Sequence, residues 1–231
     1  MIGLDLCNFA NIGKFGLIIF GIRSPLVVEY EETLARLGID VSAAVSVSGV
    51  PRLMARRQII ELADFHPVAG ALFISSAFTP KRRAELVACG RALGMQLGPA
   101  LIDPHAAVAR SARIGDGSFI NAGAVIGGVT MIGENVLVNR ATSIGHHCLI
   151  EDNVSFGPGA TLAGNIRVGD GAMIGAGAVI LPDIRIGAGA IVAAGSLVRQ
   201  NVPDETFVAG NPAKERAFDP AKSWLNVEDS E

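Results

Sequence analysis

A six-residue periodicity runs through the central part of the chain and restricts its fold more than any other feature. Half of the residues are hydrophobic, so an unbroken run of seventeen apolar positions at this spacing would arise by chance about once in 10⁵ trials. A fixed short period is the signature of stacked repeats, and a six-residue period is typical of a parallel β-helix. The seventeen bulky positions are Ile102, Val108, Ile114, Ile120, Ile126, Ile132, Val138, Ile144, Ile150, Phe156, Leu162, Val168, Ile174, Ile180, Ile186, Val192 and Val198.

Two further positions of each repeat are restricted. The residue after the bulky one is often Gly or Asn, which tolerate a positive φ, so we expect it to form the bend of the repeat; examples are Gly115, Asn121, Gly127, Gly133 and Asn139. The fifth position is small or β-branched, and we expect it to point inward: Ala106, Ala112, Ser118, Ala124, Thr130, Val136, Thr142, Cys148, Val154 and Ala160. Three strand-like sides then close one coil, and successive coils stack roughly 4.8 Å apart. Five to six coils follow, without an insertion.

The first hundred residues alternate short apolar runs with helical signals. Ser24-Pro25 resembles a helix start and Gly38 a helix stop. The alternation predicts a small parallel, Rossmann-like α/β unit over residues 1–100, with residues 1–13 as a loose extension. A β-helix domain over 101–214 and a tail over 215–231 follow it. The expected strands are Phe15–Gly21, Val41–Ser48 and Val68–Ser75, and the expected helices are Leu26–Leu37, Arg56–Leu62 and Pro80–Leu93.

The first turn of this unit is a candidate binding site. Ligands of parallel sheets bind at the carboxyl ends of the strands, and a helix N-terminus can hold a phosphate. Gly21, Arg23 and Ser24 lie at this place in the expected unit. A plain strand-to-helix connection is the alternative interpretation.

Charge, hydropathy and cysteine content limit the class of partner. The net charge is −3, and the short basic runs lie inside helix-like segments, so we do not expect nucleic acid as a partner. The apolar run Gly16–Ile22 is too short to span a membrane. Cys7, Cys89 and Cys148 are odd in number and far apart, which favours a reducing, cytoplasmic location.

Two adjacent histidines are the main chemical feature of the β-helix. His146 takes the third position of its repeat, which we expect to point outward or along an edge. Its neighbours eighteen residues before and after are Gly128 and Gly164, so we expect free space for a substrate beside its ring. A surface histidine without a function is the alternative.

The order of these motifs resembles the PglD/NeuD-like family of sugar O-/N-acyltransferases. The resemblance rests on Asn139, His146 and Cys148 at their spacing, on Ala163-Gly164-Asn165, and on the segment Val208–Lys214. It covers about residues 15–215 and implies a left-handed β-helix, a homotrimer and acetyl-CoA bound between adjacent prisms. It also implies a nucleotide-linked amino sugar held by the N-terminal unit, in surface glycan synthesis.

The resemblance also implies roles for single residues. His146 matches the general base of the family, with His147 beside it, and Asn139 matches an Asn near the acceptor. Gly164, Ala176 and Ala194 match positions that line the acetyl-CoA channel.

The chain departs from the family pattern at three places. His147 stands where the family has Asp or Glu, and we expect Glu134 or Glu151 to orient the base instead, unless activity is weak. Ser155 replaces a His that contacts the acetyl group, and its hydroxyl can still donate one hydrogen bond. The Gly-rich turn of the N-terminal unit is reduced to Gly21–Ser24.

We therefore expect an acetyl-CoA-dependent sugar N-acetyltransferase that needs no metal. Sugar O-acetylation and a non-catalytic sugar-binding relative are alternatives. A zinc enzyme of the γ-carbonic anhydrase type is a further alternative, but it needs three converging histidines, and His105 is more than two coils from His146.

Overall fold

The computed structural model describes residues 16–53 and 59–217, which form two packed units. The N-terminal unit is a five-stranded parallel sheet with strand order β3-β2-β1-β4-β5, as the Rossmann-like prediction requires. The loose extension predicted over 1–13 and the tail beyond 217 lie outside the described residues. The strands are β1 (Leu17–Phe20), β2 (Val41–Ser46), β3 (Ile59–Glu61), β4 (Leu72–Ser75) and β5 (Gln96–Leu97), and the helices are α1 (Val27–Leu37) and α2 (Pro80–Ala92).

One predicted helix of this unit is wrong where it can be compared. Residues 56–58 of the predicted helix Arg56–Leu62 lie outside the described residues, but Ile59–Glu61 form β3, which pairs in parallel with β2. A single 3₁₀ turn, Leu62–Asp64, follows it. Pairing of Ile60 with Val45 gives this short apolar segment a sheet partner, which overrides its weak helical preference. By contrast, Gly38 ends α1 in the left-handed conformation, as predicted (φ 65°).

The β-helix is a three-sided prism built from seventeen two-residue strands, β6 to β22. Residues eighteen apart pair in parallel, for example Val125 with Ser143, which confirms the predicted stacking. The strands are β6 (Leu101–Ile102), β7 (Ala107–Val108), β8 (Arg113–Ile114), β9 (Phe119–Ile120), β10 (Val125–Ile126), β11 (Met131–Ile132), β12 (Leu137–Val138), β13 (Ser143–Ile144), β14 (Leu149–Ile150), β15 (Ser155–Phe156), β16 (Thr161–Leu162), β17 (Arg167–Val168), β18 (Met173–Ile174), β19 (Val179–Ile180), β20 (Arg185–Ile186), β21 (Ile191–Val192) and β22 (Leu197–Val198).

Each face of the prism is one parallel sheet. The first face holds β6, β9, β12, β15, β18 and β21, and β23 (Phe207–Ala209) and β24 (Lys214–Glu215) complete it. The second face holds β7, β10, β13, β16, β19 and β22, and the third holds β8, β11, β14, β17 and β20. We call the turns from the first to the second face the Asn139 corner and those from the second to the third face the His146 corner. The turns that return to the first face are the third corner.

The prism interior contains the two residue classes that the repeat predicted. The bulky residues from Ile120 to Val198 are buried, and the small ones from Ser118 to Ala160 lie inside with them. The first coil is less covered, since Ile102, Ala106 and Val108 are only partly buried. Large and small side chains therefore alternate around a narrow apolar interior, and each coil covers the next.

The bends are formed by a different residue from the one we expected. Positive φ falls on the third residue after the bulky one, as at Gly117 (φ 71°) and Asn135 (φ 55°), whereas Gly115 lies outside the left-handed region. A Cβ on Gly115 would be 2.6 Å from the carbonyl carbon of Gly133 in the next coil. The glycines after the bulky residues are thus required by close approach of stacked backbones rather than by the bend.

The N-terminal unit packs on the first face of the prism. Tyr30 of α1 lies against Phe119 of β9, with ring centroids 4.0 Å apart, and Leu137 extends this apolar contact. Burial raises the pKa of Tyr30, with Arg83 acting in the opposite direction. Neither helix of the described residues has the length and hydrophobicity needed to cross a bilayer.

Two polar clusters join the units. Arg83 of α2 is 1% exposed, and its guanidinium donates to the Ser155 hydroxyl (2.8 Å) and to five main-chain carbonyls, those of Ala77, Phe78, Asn135, Asn153 and Val154. The buried carboxylate of Asp103 accepts from the Thr33 hydroxyl (2.7 Å), from Arg36 (2.6 Å) and from the His105 main chain (2.8 Å). These contacts fix the N-terminal unit relative to the prism.

Candidate active site at two corners of the prism

His146 is exposed at the His146 corner, in the turn that follows β13. The next residue, His147, is also exposed and has the left-handed conformation that closes the turn (φ 58°). Ile144 and Cys148, on either side of the pair, point into the apolar interior. Alternation along the coil therefore presents both imidazoles to the surface, as the sequence predicted for His146.

The ring of His146 lies over Gly164 of the next coil. A Cβ on Gly164 would be 2.5 Å from Cε1 and 2.7 Å from Nε2 of the imidazole. The space that we expected the substrate to use at Gly164 is therefore filled by the ring itself. A Cβ on Gly128, one coil earlier, would meet only the Ser111 hydroxyl, at 3.3 Å, so the His146 ring does not contact this position.

The two imidazoles contact each other through like nitrogens. Nδ1 of His146 lies 3.0 Å from Nδ1 of His147, and the rings are nearly perpendicular (86°). Only one of the two nitrogens can carry the hydrogen of this bond, so one ring donates and the other accepts. The carboxylates that we expected to orient the base are elsewhere in the protomer. Glu134 binds Arg91 (2.7 Å) and Glu151 accepts from the Asp170 main chain (3.0 Å), both at the third corner.

Asn139 lies at a different corner from His146. It follows β12, is 4% exposed, and its Oδ1 accepts from the main chain of Arg140 (2.8 Å) and from Asn121 Nδ2 (3.3 Å). Glu29 of α1 binds both neighbours, Arg140 at 2.7 Å and Asn121 at 3.4 Å. Within the described part of one protomer, the Nδ2 group of Asn139 has no hydrogen-bond acceptor. A buried amide donor without a partner is costly, so we expect water or a bound group to supply an acceptor at this Nδ2.

The predicted cofactor positions divide between the two corners. Gly164 shares the His146 corner, whereas Ala176 and Ala194 are exposed at the Asn139 corner, in the coils beyond Asn139. A single protomer therefore does not bring the predicted site residues together.

The prediction that Ser155 contacts the acetyl group is wrong for this chain. Ser155 is fully buried on the first face, where its hydroxyl accepts from Arg83 (2.8 Å) and donates to the Phe78 carbonyl (2.8 Å). The outward positions of this part of the first face are covered by the N-terminal unit. The hydroxyl therefore joins the two units and is closed to a ligand.

The N-terminal unit has a shallow pocket at the carboxyl end of β1. Gly21, Arg23 and Ser24 line it, as expected, together with Arg82 and Ser48. Gly21 has φ 83°, and a Cβ there would collide with Leu86, so glycine is required by the turn. The stem of Arg23 packs on Gly49, and Arg82 donates to the Ser48 hydroxyl (2.7 Å). The guanidinium groups of Arg23 and Arg82 thus lie at the pocket, where the family pattern has a Gly-rich turn.

Sequence reasoning missed Arg82 and Arg83. Both lie in the short basic run Lys81–Arg83, inside the helix predicted over Pro80–Leu93, which the structure confirms as α2. Adjacent positions on a helix point in different directions, so one arginine reaches the pocket while the other enters the domain contact. Their places could not be read from the run alone.

The described part of one protomer lacks the three metal-binding side chains that the zinc alternative needs. Among residues 16–53 and 59–217, no three His, Cys, Asp or Glu side chains lie close enough to bind one metal ion.

Comparison with known proteins gives one family model and several solved structures. The model described as bacterial transferase hexapeptide (six repeats) matches residues 165–200. No curated protein sequence matches the chain. The acetyltransferase domain of PglB from Neisseria gonorrhoeae FA1090, solved with acetyl coenzyme A, is 31% identical with a TM-score of 0.75, covering 87% of this chain and 98% of that one.

Two other solved structures are similar over the same extent. A variant of perosamine N-acetyltransferase from Caulobacter crescentus, in complex with CoA and GDP-perosamine, is 27% identical with a TM-score of 0.76, covering 88% of this chain and 97% of that one. WeeI from Acinetobacter baumannii AYE is 26% identical with a TM-score of 0.69, covering 87% and 99%.

A parallel α/β unit followed by an uninterrupted left-handed hexapeptide prism defines the class as hexapeptide-repeat acyltransferases. The likeness extends through both units, not through the repeat alone. The chain belongs to the PglD/NeuD-like family of sugar acyltransferases and is an acetyltransferase.

Proposed function

We propose that the protein transfers the acetyl group of acetyl-CoA to the amino group of a nucleotide-linked amino sugar, with His146 as the general base. The observation that carries the proposal is the likeness over both units to a perosamine N-acetyltransferase solved with CoA and GDP-perosamine and to an acetyltransferase domain solved with acetyl coenzyme A. It is joined by an exposed imidazole in a turn of the prism. The reaction belongs to surface glycan synthesis in the cytoplasm, where the free thiols of Cys89 and Cys148 stay reduced.

The chemistry needs one proton acceptor. The sugar amine attacks the thioester carbon, the carbon–sulfur bond breaks, and the amine must lose a proton as it becomes an amide. Nε2 of His146 takes that proton and returns it to the departing CoA sulfur. Imidazole suits both transfers because it exchanges protons near neutral pH. No covalent intermediate on the protein is required. Burial raises the pKa of the Cys148 thiol below the pair, which makes it a poor nucleophile.

The site is assembled from two protomers. His146 and Asn139 lie at opposite edges of the second face, so they can serve one reaction only when the His146 corner of one protomer meets the Asn139 corner of another. The second face between these corners carries exposed apolar side chains, among them Val125 (48% exposed) and Val179 (37% exposed). Burial of these apolar side chains against a neighbouring prism stabilises an assembly. In a homotrimer the same contact occurs three times, and the ring of subunits is closed.

The pocket of the N-terminal unit holds the nucleotide part of the acceptor. Arg23 and Arg82 offer charge-assisted hydrogen bonds to a diphosphate, and Ser48 and Ser24 add hydroxyl groups. Gly21 lets the backbone turn closely at this point.

The test measures CoA release from acetyl-CoA with a panel of nucleotide-linked sugars. Each amino sugar is paired with the same sugar bearing a hydroxyl at that carbon. We expect turnover with one or more amino sugars and a loss of about 10²- to 10⁴-fold in kcat in the His146→Ala variant. His66→Ala, which removes another exposed histidine, is the matched control and should keep wild-type rates. Unchanged turnover in His146→Ala would refute the catalytic assignment, and transfer only to hydroxyl acceptors would replace N- by O-acetylation.

Mixed oligomers test the shared site. In Asn139→Asp the side chain still accepts from Asn121 and Arg140 but loses its Nδ2 donor. Co-expression of this variant with His146→Ala in equal amounts leaves both groups intact in ~25% of the sites of a trimer if they come from different subunits. Recovery of about that share of activity from two inactive parents supports the assembly, and no recovery contradicts it.

A further inference from the structure

We propose that His147 is a positioning residue that accepts a hydrogen bond from Nδ1–H of His146 and so keeps Nε2 of His146 free to take the proton of the acceptor. The inference rests on the proposed function, since it gives a partner to the base named there. It replaces the expectation that a carboxylate must orient this ring.

The geometry allows only one proton between the rings. The two Nδ1 atoms are 3.0 Å apart, a hydrogen-bond distance, and they can share a single hydrogen. If His147 donated that hydrogen, Nδ1 of His146 would be the acceptor and its Nε2 would carry a proton, unable to take another. If His146 donates it, Nε2 has a free lone pair. Which nitrogen of a histidine is protonated is set by the hydrogen bond that the other makes.

Nε2 of His146 is placed for this task. The ring lies over Gly164, and within the described part of one protomer its one hydrogen bond is made by Nδ1, to His147, so Nε2 is left for a substrate. As His146 becomes an imidazolium, the neutral Nδ1 of His147 accepts a charge-assisted hydrogen bond from it. An uncharged imidazole thus performs the orienting part of a carboxylate's role.

The turn at His147 has a left-handed conformation (φ 58°), which is unfavourable for most residues with a side chain. The same position holds Val129 (φ 62°) one coil earlier and Asn165 (φ 61°) and Asp183 (φ 63°) in the next two coils, so the backbone alone does not explain a histidine here. The contact with the ring of His146 is what distinguishes His147 within this stack.

The experiment compares His147→Gly with His147→Asp. Glycine removes the imidazole and relaxes the turn, so a loss of activity cannot arise from backbone strain. Aspartate fits the same conformation, as at Asp183, and supplies a carboxylate acceptor. Asn165→Gly makes the same backbone change one coil away and is the matched control. In selectively ¹⁵N-histidine-labelled protein, two-bond ¹H–¹⁵N correlations report which nitrogen of each neutral ring carries hydrogen.

We expect His146 of the wild type to show the Nδ1–H tautomer and His147→Gly to lose it. In parallel kcat should fall about 10²-fold in His147→Gly with KM for acetyl-CoA little changed, and His147→Asp should recover most of the loss. An unchanged His146 tautomer in His147→Gly, or wild-type kcat in that variant, would overturn the inference. An intact Nδ1–H tautomer in a wild-type protein that acetylates no acceptor would instead overturn the proposed function and support the bridge.

Discussion

Gly164→Ala should separate activity from stability, because the three atoms nearest to the added methyl group all belong to the ring of His146, the proposed base. An added Cβ would be 2.5 Å from Cε1 of His146, whereas carbon atoms in contact are about 3.5 Å apart, so the imidazole must move by about 1 Å. A displacement of this size in a base costs about 10²-fold in rate, or about 2.7 kcal/mol of transition-state stabilisation.

The fold should not suffer from the same change. Gly164 lies outside the left-handed region, so alanine is compatible with its backbone, and the His146 side chain is exposed and can turn away. Restricting the unfolded chain should leave the free energy of unfolding unchanged or raised by about 0.5 kcal/mol. The assay is kcat for acetyl transfer together with the midpoint of thermal unfolding.

Gly128→Ala is the control for this prediction. It makes the same substitution one coil earlier in the stack, where the new Cβ would meet only the Ser111 hydroxyl, at 3.3 Å. We expect it to keep wild-type kcat. If Gly164→Ala also keeps wild-type kcat, the ring over Gly164 is not the base or is not held there during the reaction. In a His146→Ala background, Gly164→Ala should have no further effect on rate.

Two further predictions concern the contact between the units. Burial by itself raises the pKa of Asp103, but hydrogen bonds from Thr33, His105 and Arg36 outweigh it and hold the pKa below its ordinary value. A lowered folded pKa means stability that is present above the unfolded pKa and lost as pH falls through the folded value. Acid unfolding followed by circular dichroism should therefore show less pH dependence below about pH 4 in Asp103→Asn; the same dependence in both proteins would contradict this. Arg83→Met should lower the free energy of unfolding by about 3–5 kcal/mol, because three buried and two part-buried carbonyls lose the hydrogen bonds that the guanidinium donates. Denaturant titration measures this, and a loss below about 1 kcal/mol would show that water replaces the guanidinium.

The prism could be predicted because each coil is specified by residues that are close together in the sequence. Ile144 and Cys148 are one bulky and one small inward residue, and this alternation by itself defines a closed coil. The role of the glycines could not be assigned in the same way. Both a left-handed bend and a close backbone contact favour glycine, so Gly115 and Gly117 look alike in the sequence although only Gly117 bends. Distinguishing them requires the distance to the next coil.

The site was predicted in part. The outward direction of His146 follows from its repeat position, and the structure agrees. The separation of Asn139 from His146 could have been counted, since the two follow consecutive strands and consecutive strands belong to different faces. The burial of Ser155 could not, because it depends on where α2 places Arg83. The hydrogen bond between the two imidazoles could not be predicted either, because it depends on the conformation of the turn at His147.

The uninterrupted prism has one more consequence. Each coil advances the chain along the prism axis by one strand spacing, roughly 4.8 Å, while leaving the outline of the corner unchanged. The contacts of Arg83 and Asp103 hold the N-terminal unit against the coils at the N-terminal end of the prism. Under the proposed function, the position of the histidine pair along the prism therefore sets how long an acceptor must be to reach from the pocket at Arg23 to His146. Moving the pair by eighteen residues, together with the groups that meet it at the other corner, would change this length by one strand spacing.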